Sequence, residues 1–168
     1  MLRWITPTRY VASATQLDPR ALWGEGVRGV VLDLDNTVVA WDAPAPTSEV
    51  QVWIGQLRSA GIQVCIVSNN FTRARQIAQM LQVPVVAGAI KPAPWAFRRA
   101  MAIMGTSARQ TVLVGDQLFT DVLGGNLLGM RTVLVDPLSR NEFPTTKIVR
   151  AIERLIRARV VTRVKPDR

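Results

Sequence analysis

Asp33 and Asp35 stand two residues apart at the end of the apolar run Val27 to Leu34, in the stretch Asp33-Leu34-Asp35-Asn36-Thr37. In an extended chain residues i and i+2 point the same way, so both carboxylates can reach one place. Brought together, they repel unless a cation screens them or a proton is shared. Both solutions suit phosphoryl chemistry. One carboxylate can attack phosphorus while a metal screens its charge, and the other can stay protonated and donate to the leaving group. Spacing alone leaves the two roles interchangeable. The bland alternative is a strand end closed by an Asp-Asn turn.

More chemistry follows in order along the chain. Ser68-Asn69-Asn70 ends a second apolar run, where a hydroxyl and backbone N–H groups can hold phosphate oxygens. Lys91-Pro92 follows a short apolar run; with only three lysines in the chain, its position marks it as a point charge for phosphate. Gly115-Asp116-Gln117-Leu118-Phe119-Thr120-Asp121 follows a fourth run. Asp116 offers oxygen ligands that suit magnesium, and Asp121 can bind the ion through water or orient Lys91.

The elements that must position these residues are legible. The β-branched runs Val27 to Leu34, Ile62 to Val67, Val83 to Val86, Thr111 to Val114 and Thr132 to Val135 lack polar alternation. They read as strands buried on both faces, as in a parallel sheet. Between them lie helical stripes: Val50, Trp53, Ile54 and Leu57; Ala74, Ile77, Ala78 and Leu81; Phe97, Ala100, Met101 and Met104. Ser48 with Gln51 resembles a capping box before the first, and Gly105 closes the third. A further helix is expected from about Phe119 to Leu128. Strands alternating with helices predict a three-layer, Rossmann-like α/β fold with right-handed crossovers. The length of 168 residues predicts one domain, residues 1–168. In a parallel sheet, ligands bind at the carboxyl ends of the strands, which is where the chemistry-bearing residues fall.

Composition excludes other chemistries. The chain has no His, which removes His-based triads and His metal sites, and its single Cys65 excludes a disulfide framework. The formal net charge of +9 points to an anionic partner: nucleic acid, anionic lipid or a phosphorylated substrate. Nucleic acid is not expected, because the arginines are not interleaved with stacking aromatics. No signal peptide is visible and no apolar run is long enough to span a bilayer. The expectation is a cytoplasmic protein able to sit on the inner membrane face. Ile148, Ile152, Leu155 and Ile156, set among Arg150, Arg154, Arg157 and Arg159, predict a basic amphipathic helix over about 144–160. Such a helix either packs on the domain or lies on an anionic membrane. Trp4, with Arg3, Arg9 and Tyr10, offers a second interfacial contact.

The ordered set DLDNT, SNN, KP and GDQLFTD resembles the four motifs of the haloacid dehalogenase (HAD) superfamily. RGVVLDLDNTVVAWD, VSNN, KPAPWAFRRA and VLVGDQLFTDVLGGNLLGM are similar to one branch, the YqeG family of IIIA-type phosphatases, over about residues 1 to 160. The resemblance implies a five-stranded parallel sheet with the Asp33 strand in its middle. It implies Asp33 as nucleophile, forming an aspartyl-phosphate, and Asp35 as acid and then base. It implies phosphate binding by Ser68, Asn69 and Lys91. Mg2+ would be held by the Asp33 and Asp116 carboxylates and the Asp35 main-chain carbonyl, with Asp121 behind them. A phosphate-receiver domain uses similar parts, but its acceptor Asp follows the third strand, and Val83 to Gly88 offers none.

Many phosphatases of the superfamily carry a cap, between Thr37 and Ile62 or between Ser68 and Lys91 in this numbering. Neither interval has room for one, so a capless, open site is expected. An open site favours a large or surface-bound substrate. The YqeG family is similar to phosphatidylglycerophosphate phosphatases, which makes that lipid the preferred substrate. The alternatives are a soluble nucleotide, a phosphoprotein, or phosphate binding without turnover in a regulatory protein.

Overall fold

The computed structural model describes residues 2–139 together with Ile156, Thr162 and Val164. Six parallel strands form one sheet: β1 (Arg9–Tyr10), β2 (Gly29–Leu32), β3 (Gln63–Ser68), β4 (Val85–Ala87), β5 (Thr111–Gly115) and β6 (Arg131–Leu134). Their order is β1-β6-β5-β2-β3-β4. The five expected strands are all present. The sixth, β1, corrects the five-stranded expectation: two half-buried residues pair with Val133 and Leu134 at the sheet edge. A pair so short, made of Arg and Tyr, has no hydrophobic period to reveal it.

Strand β2 lies between β3 and β5 and is buried along its whole length. Its residues alternate between two cores. Val30 and Leu32 join Leu22, Ile54, Leu57 and Ile77 on one face. Val31 joins Cys65, Phe97, Ala100 and Leu113 on the other. The covering helices are α1 (Pro19–Gly24), α2 (Ser48–Ser59), α3 (Phe71–Leu81), α4 (Pro94–Met104) and α5 (Leu123–Leu127). The helical stripes fall on α2, α3 and α4 and face inward.

Local chemistry sets the helix starts. Thr47, not Ser48, caps α2, its side chain accepting from the Val50 N–H at 3.4 Å. Asn70 caps α3 by accepting from the Arg73 N–H at 3.0 Å. Pro94 opens α4 and Gly105 closes it at φ 67°. The helix expected from Phe119 to Leu128 starts instead as a π-turn, Leu118–Val122, and continues as α5. Such turns insert one residue into a helix and re-aim a side chain, often at a functional site.

Only a loop and α2 connect β2 to β3, and only α3 connects β3 to β4, so neither interval carries a cap. Among the described residues, no helix is long and apolar enough to cross a membrane. The basic helix expected over about 144–160 lies outside the described residues, apart from Ile156. That side chain is half-buried against Leu118, Val122 and Leu134.

Candidate active site

Four loops converge at the carboxyl ends of β2, β3, β4 and β5. Asp33 leaves β2 with its N–H still donating to Val114 O at 2.9 Å, which fixes it against β5. Its carboxylate is buried, and Oδ1 accepts a short hydrogen bond from Lys91 Nζ. Asp33 Oδ2 is buried and has no hydrogen-bond partner among the described residues. An unsatisfied buried carboxylate oxygen is costly, so this atom marks where something else must bind.

Lys91 is the hub of the floor. Its side chain is 4% exposed, and its ammonium also donates to Asp121 Oδ1 at 2.7 Å. Its own N–H donates to Asn69 Oδ1 at 2.7 Å, so Asn69 ties the β3 loop to the β4 loop. Burial pulls the Lys91 ammonium down, but Asp121 and Asp33 together push it above the usual lysine range. Burial pushes Asp121 up to about 6, against the pull of Lys91. The π-turn brings Asp121 back over β5, where its Oδ2 accepts from the Gln117 N–H at 3.2 Å. Position 115 must be glycine here, because a Cβ would run into the Asp121 carboxylate.

Asp33, Asp116 and Asp121 are all buried, with carboxylate oxygens within 4.8 Å of one another. Three carboxylates face one ammonium, which leaves the floor short of positive charge. Oxygen-only donors and a surplus of negative charge fit a hard divalent cation such as magnesium. Ser68 is buried at the end of β3, its Oγ accepting from the Asn70 N–H at 3.1 Å. The hydroxyl proton is therefore directed elsewhere.

Asp35 sits apart from this floor. Its side chain is 24% exposed, and Arg73 Nη1 lies 3.1 Å from Oδ1 as an ion pair without hydrogen-bond alignment. Burial, then the Asp33 charge, raises the Asp35 carboxyl above its ordinary range, and Arg73 restrains the rise. Arg73 also donates to three carbonyls of the loop after β2: Trp41 O at 2.7 Å, Ala40 O at 2.7 Å and Ala43 O at 2.8 Å. Its guanidinium lies 5.4 Å from the centre of the Trp41 ring, which places Trp41 on the lip of the site.

The structure thus gathers Asp33, Lys91, Asp116 and Asp121 on the floor, Ser68 and Asn69 beside it, and Asp35 at the rim. Sequence reasoning missed Arg73 and Asn36. Asn36 adopts φ 64°, accepts from the Trp41 N–H at 3.0 Å and so folds the loop that carries Trp41. The signal for Asn36 was its place in an Asp-Asn turn. Arg73 gave none, because it reads as an exposed residue of α3.

A family model described as HAD-hydrolase-like matches residues 88–137. The chain is 37% identical over 155 residues to the probable phosphatase YqeG of Bacillus subtilis (strain 168), covering 92% of this chain and 90% of that one. It is 28% identical over 163 residues to the Arabidopsis thaliana protein named phosphatidylglycerophosphate phosphatase 1, chloroplastic/mitochondrial. That match covers 91% of this chain but 46% of the longer plant protein. Among solved structures, a putative HAD family hydrolase from Streptomyces avermitilis superposes with a TM-score of 0.51 at 22% identity, over 65% of this chain and 72% of that one.

Proposed function

Because the chain belongs to the HAD-like phosphatases, in the family of the Bacillus subtilis YqeG phosphatase, we propose that it hydrolyses a phosphomonoester through a covalent phosphate on Asp33. The observation that carries this reading is the division of labour within one carboxylate. Lys91 holds Asp33 Oδ1, while Oδ2 is buried, unpartnered and free to attack.

In the first step Asp33 Oδ2 bonds to phosphorus, and the bond from phosphorus to the leaving oxygen breaks. Asp35, its carboxyl raised by burial and by the Asp33 charge, gives a proton to the leaving oxygen. In the second step the Asp35 carboxylate takes a proton from water, whose oxygen attacks phosphorus. The bond from phosphorus to Asp33 then breaks, releasing inorganic phosphate. Lys91 neutralises the phosphate oxygens and the Ser68 hydroxyl donates to one of them. Asn69 keeps Lys91 in place through its backbone. Magnesium, bound by the Asp33 and Asp116 carboxylates and the Asp35 main-chain carbonyl, would supply the positive charge that lets an anionic nucleophile meet an anionic phosphate.

The preferred substrate is a lipid phosphate, phosphatidylglycerophosphate, hydrolysed at the inner membrane face. The missing cap, the net charge of +9 and the name of the plant relative support it. The test has two arms. Phosphate release from an aryl phosphate should require magnesium, and borohydride should reduce the intermediate, converting Asp33 to homoserine; turnover without either overturns the mechanism. Vesicles carrying phosphatidylglycerophosphate should give a far higher kcat/KM than soluble phosphates; equal values overturn the substrate.

A further inference from the structure

The positive charge is not spread evenly over the fold. From Val50 to Gly115 the chain has not one Asp or Glu, yet it carries six arginines and a lysine. This stretch makes most of α2, then β3, α3, β4, α4 and β5, and so includes the whole β3–β4 edge of the sheet. On the opposite edge, Arg9 and Arg131 are both paired with Glu25. On α3 and α4, the helices that cover β3 and β4 from either face, Arg75, Arg98 and Arg99 are exposed, and none meets a carboxylate among the described residues.

This unpaired charge surrounds exposed apolar side chains at the mouth of the site. Phe71 opens α3 directly after Ser68-Asn69-Asn70 and is 55% exposed. Ile90 precedes Lys91 and is 74% exposed; Trp95, in the first turn of α4, is 47% exposed. Phe71 and Ile90 share one lip, and Trp95 opens α4 at the same end of the sheet, on the face opposite α3. The Asn69 side chain binds the Lys91 N–H, and a Cβ on Gly88 would touch the Phe71 ring at 3.5 Å. Arg75 lies over the Phe71 ring at 4.2 Å, and Arg98 and Arg99 stand three and four residues beyond Trp95, on its side of α4. Ile90 is held at φ 54°, a conformation that costs a β-branched residue where Gly or Asn would fit freely.

We propose that this lip, Phe71, Ile90 and Trp95 set among Arg75, Arg98 and Arg99, seats on an anionic bilayer and brings the open mouth down over the headgroups. The inference rests on the lipid-phosphate reading and deepens it, since the phosphate then reaches Asp33 without leaving the membrane. Aromatic and aliphatic tips enter the acyl boundary while guanidinium groups meet anionic headgroups. RNA is the rival occupant, since Phe71 and Trp95 can stack on bases, but Ile90, the most exposed of the three, offers a base nothing to stack on. The lip also lies on the opposite edge from Trp4, whose backbone carbonyl accepts from Asn126 beside β6.

The test uses the full chain and vesicles of phosphatidylcholine with or without phosphatidylglycerol, neither containing a phosphomonoester. Cys65 is buried, so a polarity-sensitive fluorophore can be attached at Ile90→Cys or Trp95→Cys, with Gln56→Cys and Trp4→Cys as controls. The labels at 90 and 95 should shift to the blue on anionic vesicles, and those at 56 and 4 should stay in water. Each basic residue at such a surface contributes about a factor of five, so Arg98→Glu with Arg99→Glu should weaken partitioning at least roughly 25-fold. Insertion through position 4, an aqueous signal at 90 on bound protein, or RNA binding without vesicle binding overturns the proposal. Insertion at 90 with no preference for phosphatidylglycerophosphate over aryl phosphate leaves the docking surface standing and removes the substrate assignment alone.

Discussion

The site holds two ion-pair clusters in opposite settings. On the floor, Lys91 grips Asp33 and Asp121 with side chains only 1–6% exposed. At the rim, Arg73 meets Asp35 with side chains 18% and 24% exposed. Buried charges interact strongly and must be neutralised where they stand. Charges nearer the solvent are screened more, so their pairing is weaker. The floor therefore holds a fixed charge pattern, which in the proposed mechanism is the nucleophile and its counter-ions. The rim is open to solvent, which suits the proposed role of Asp35 as acid and then base.

The division predicts a hierarchy of damage. Asp33→Asn, which removes the attacking oxygen, should lower kcat by at least ~10⁴-fold while leaving the circular dichroism spectrum unchanged. A loss under tenfold would mean that the floor does not do the chemistry. Lys91→Met strips the ammonium from the buried carboxylates, and breaking such a group costs ~3–5 kcal/mol. Urea unfolding without magnesium should show that loss, and magnesium should recover part of it. Magnesium itself should stabilise the unaltered chain by about 2.7 kcal/mol at a hundredfold excess over its Kd. Thermal unfolding should register this stabilisation, and Asp116→Asn should abolish it.

The same contrast explains what the sequence made legible. Asp33, Ser68, Lys91 and Asp116 each follow an apolar strand run, so local pattern places them at one end of the sheet. The strands declared themselves because both their faces are buried. The rim depends on contacts that no local pattern encodes. Arg73 leaves the exposed side of α3 to hold carbonyls some thirty residues earlier in the chain. Asp121 was visible as a motif residue, but the π-turn that aims it was not, since its sequence also suits an ordinary helix. Helix α1 carried an Asp18-Pro19 start, yet its six residues are too few to show a period.

Arg73 gives the sharpest test of the rim because it touches Asp35 and the Trp41 loop but no floor residue among its described contacts. Its charge holds the Asp35 carboxyl down, against burial and the Asp33 charge, which raise it. A carboxyl raised above its ordinary range is protonated at low pH and can donate there, so activity on a poor alkyl leaving group should fall as pH rises through that pKa. Arg73→Ala removes the restraint and should move this fall to higher pH. Arg73→Lys should leave the fall nearly in place, because a lysine keeps the charge while losing most of the fork that grips Ala40, Trp41 and Ala43. The loosened loop should lower kcat by roughly tenfold in Arg73→Ala, the scale of a misplaced acid rather than a missing one. An aryl phosphate, whose leaving group needs no proton, should respond less. If instead both substrates lose activity equally and the pH profile does not move, Arg73 serves only to shape the loop, and the rim is no more adjustable than the floor.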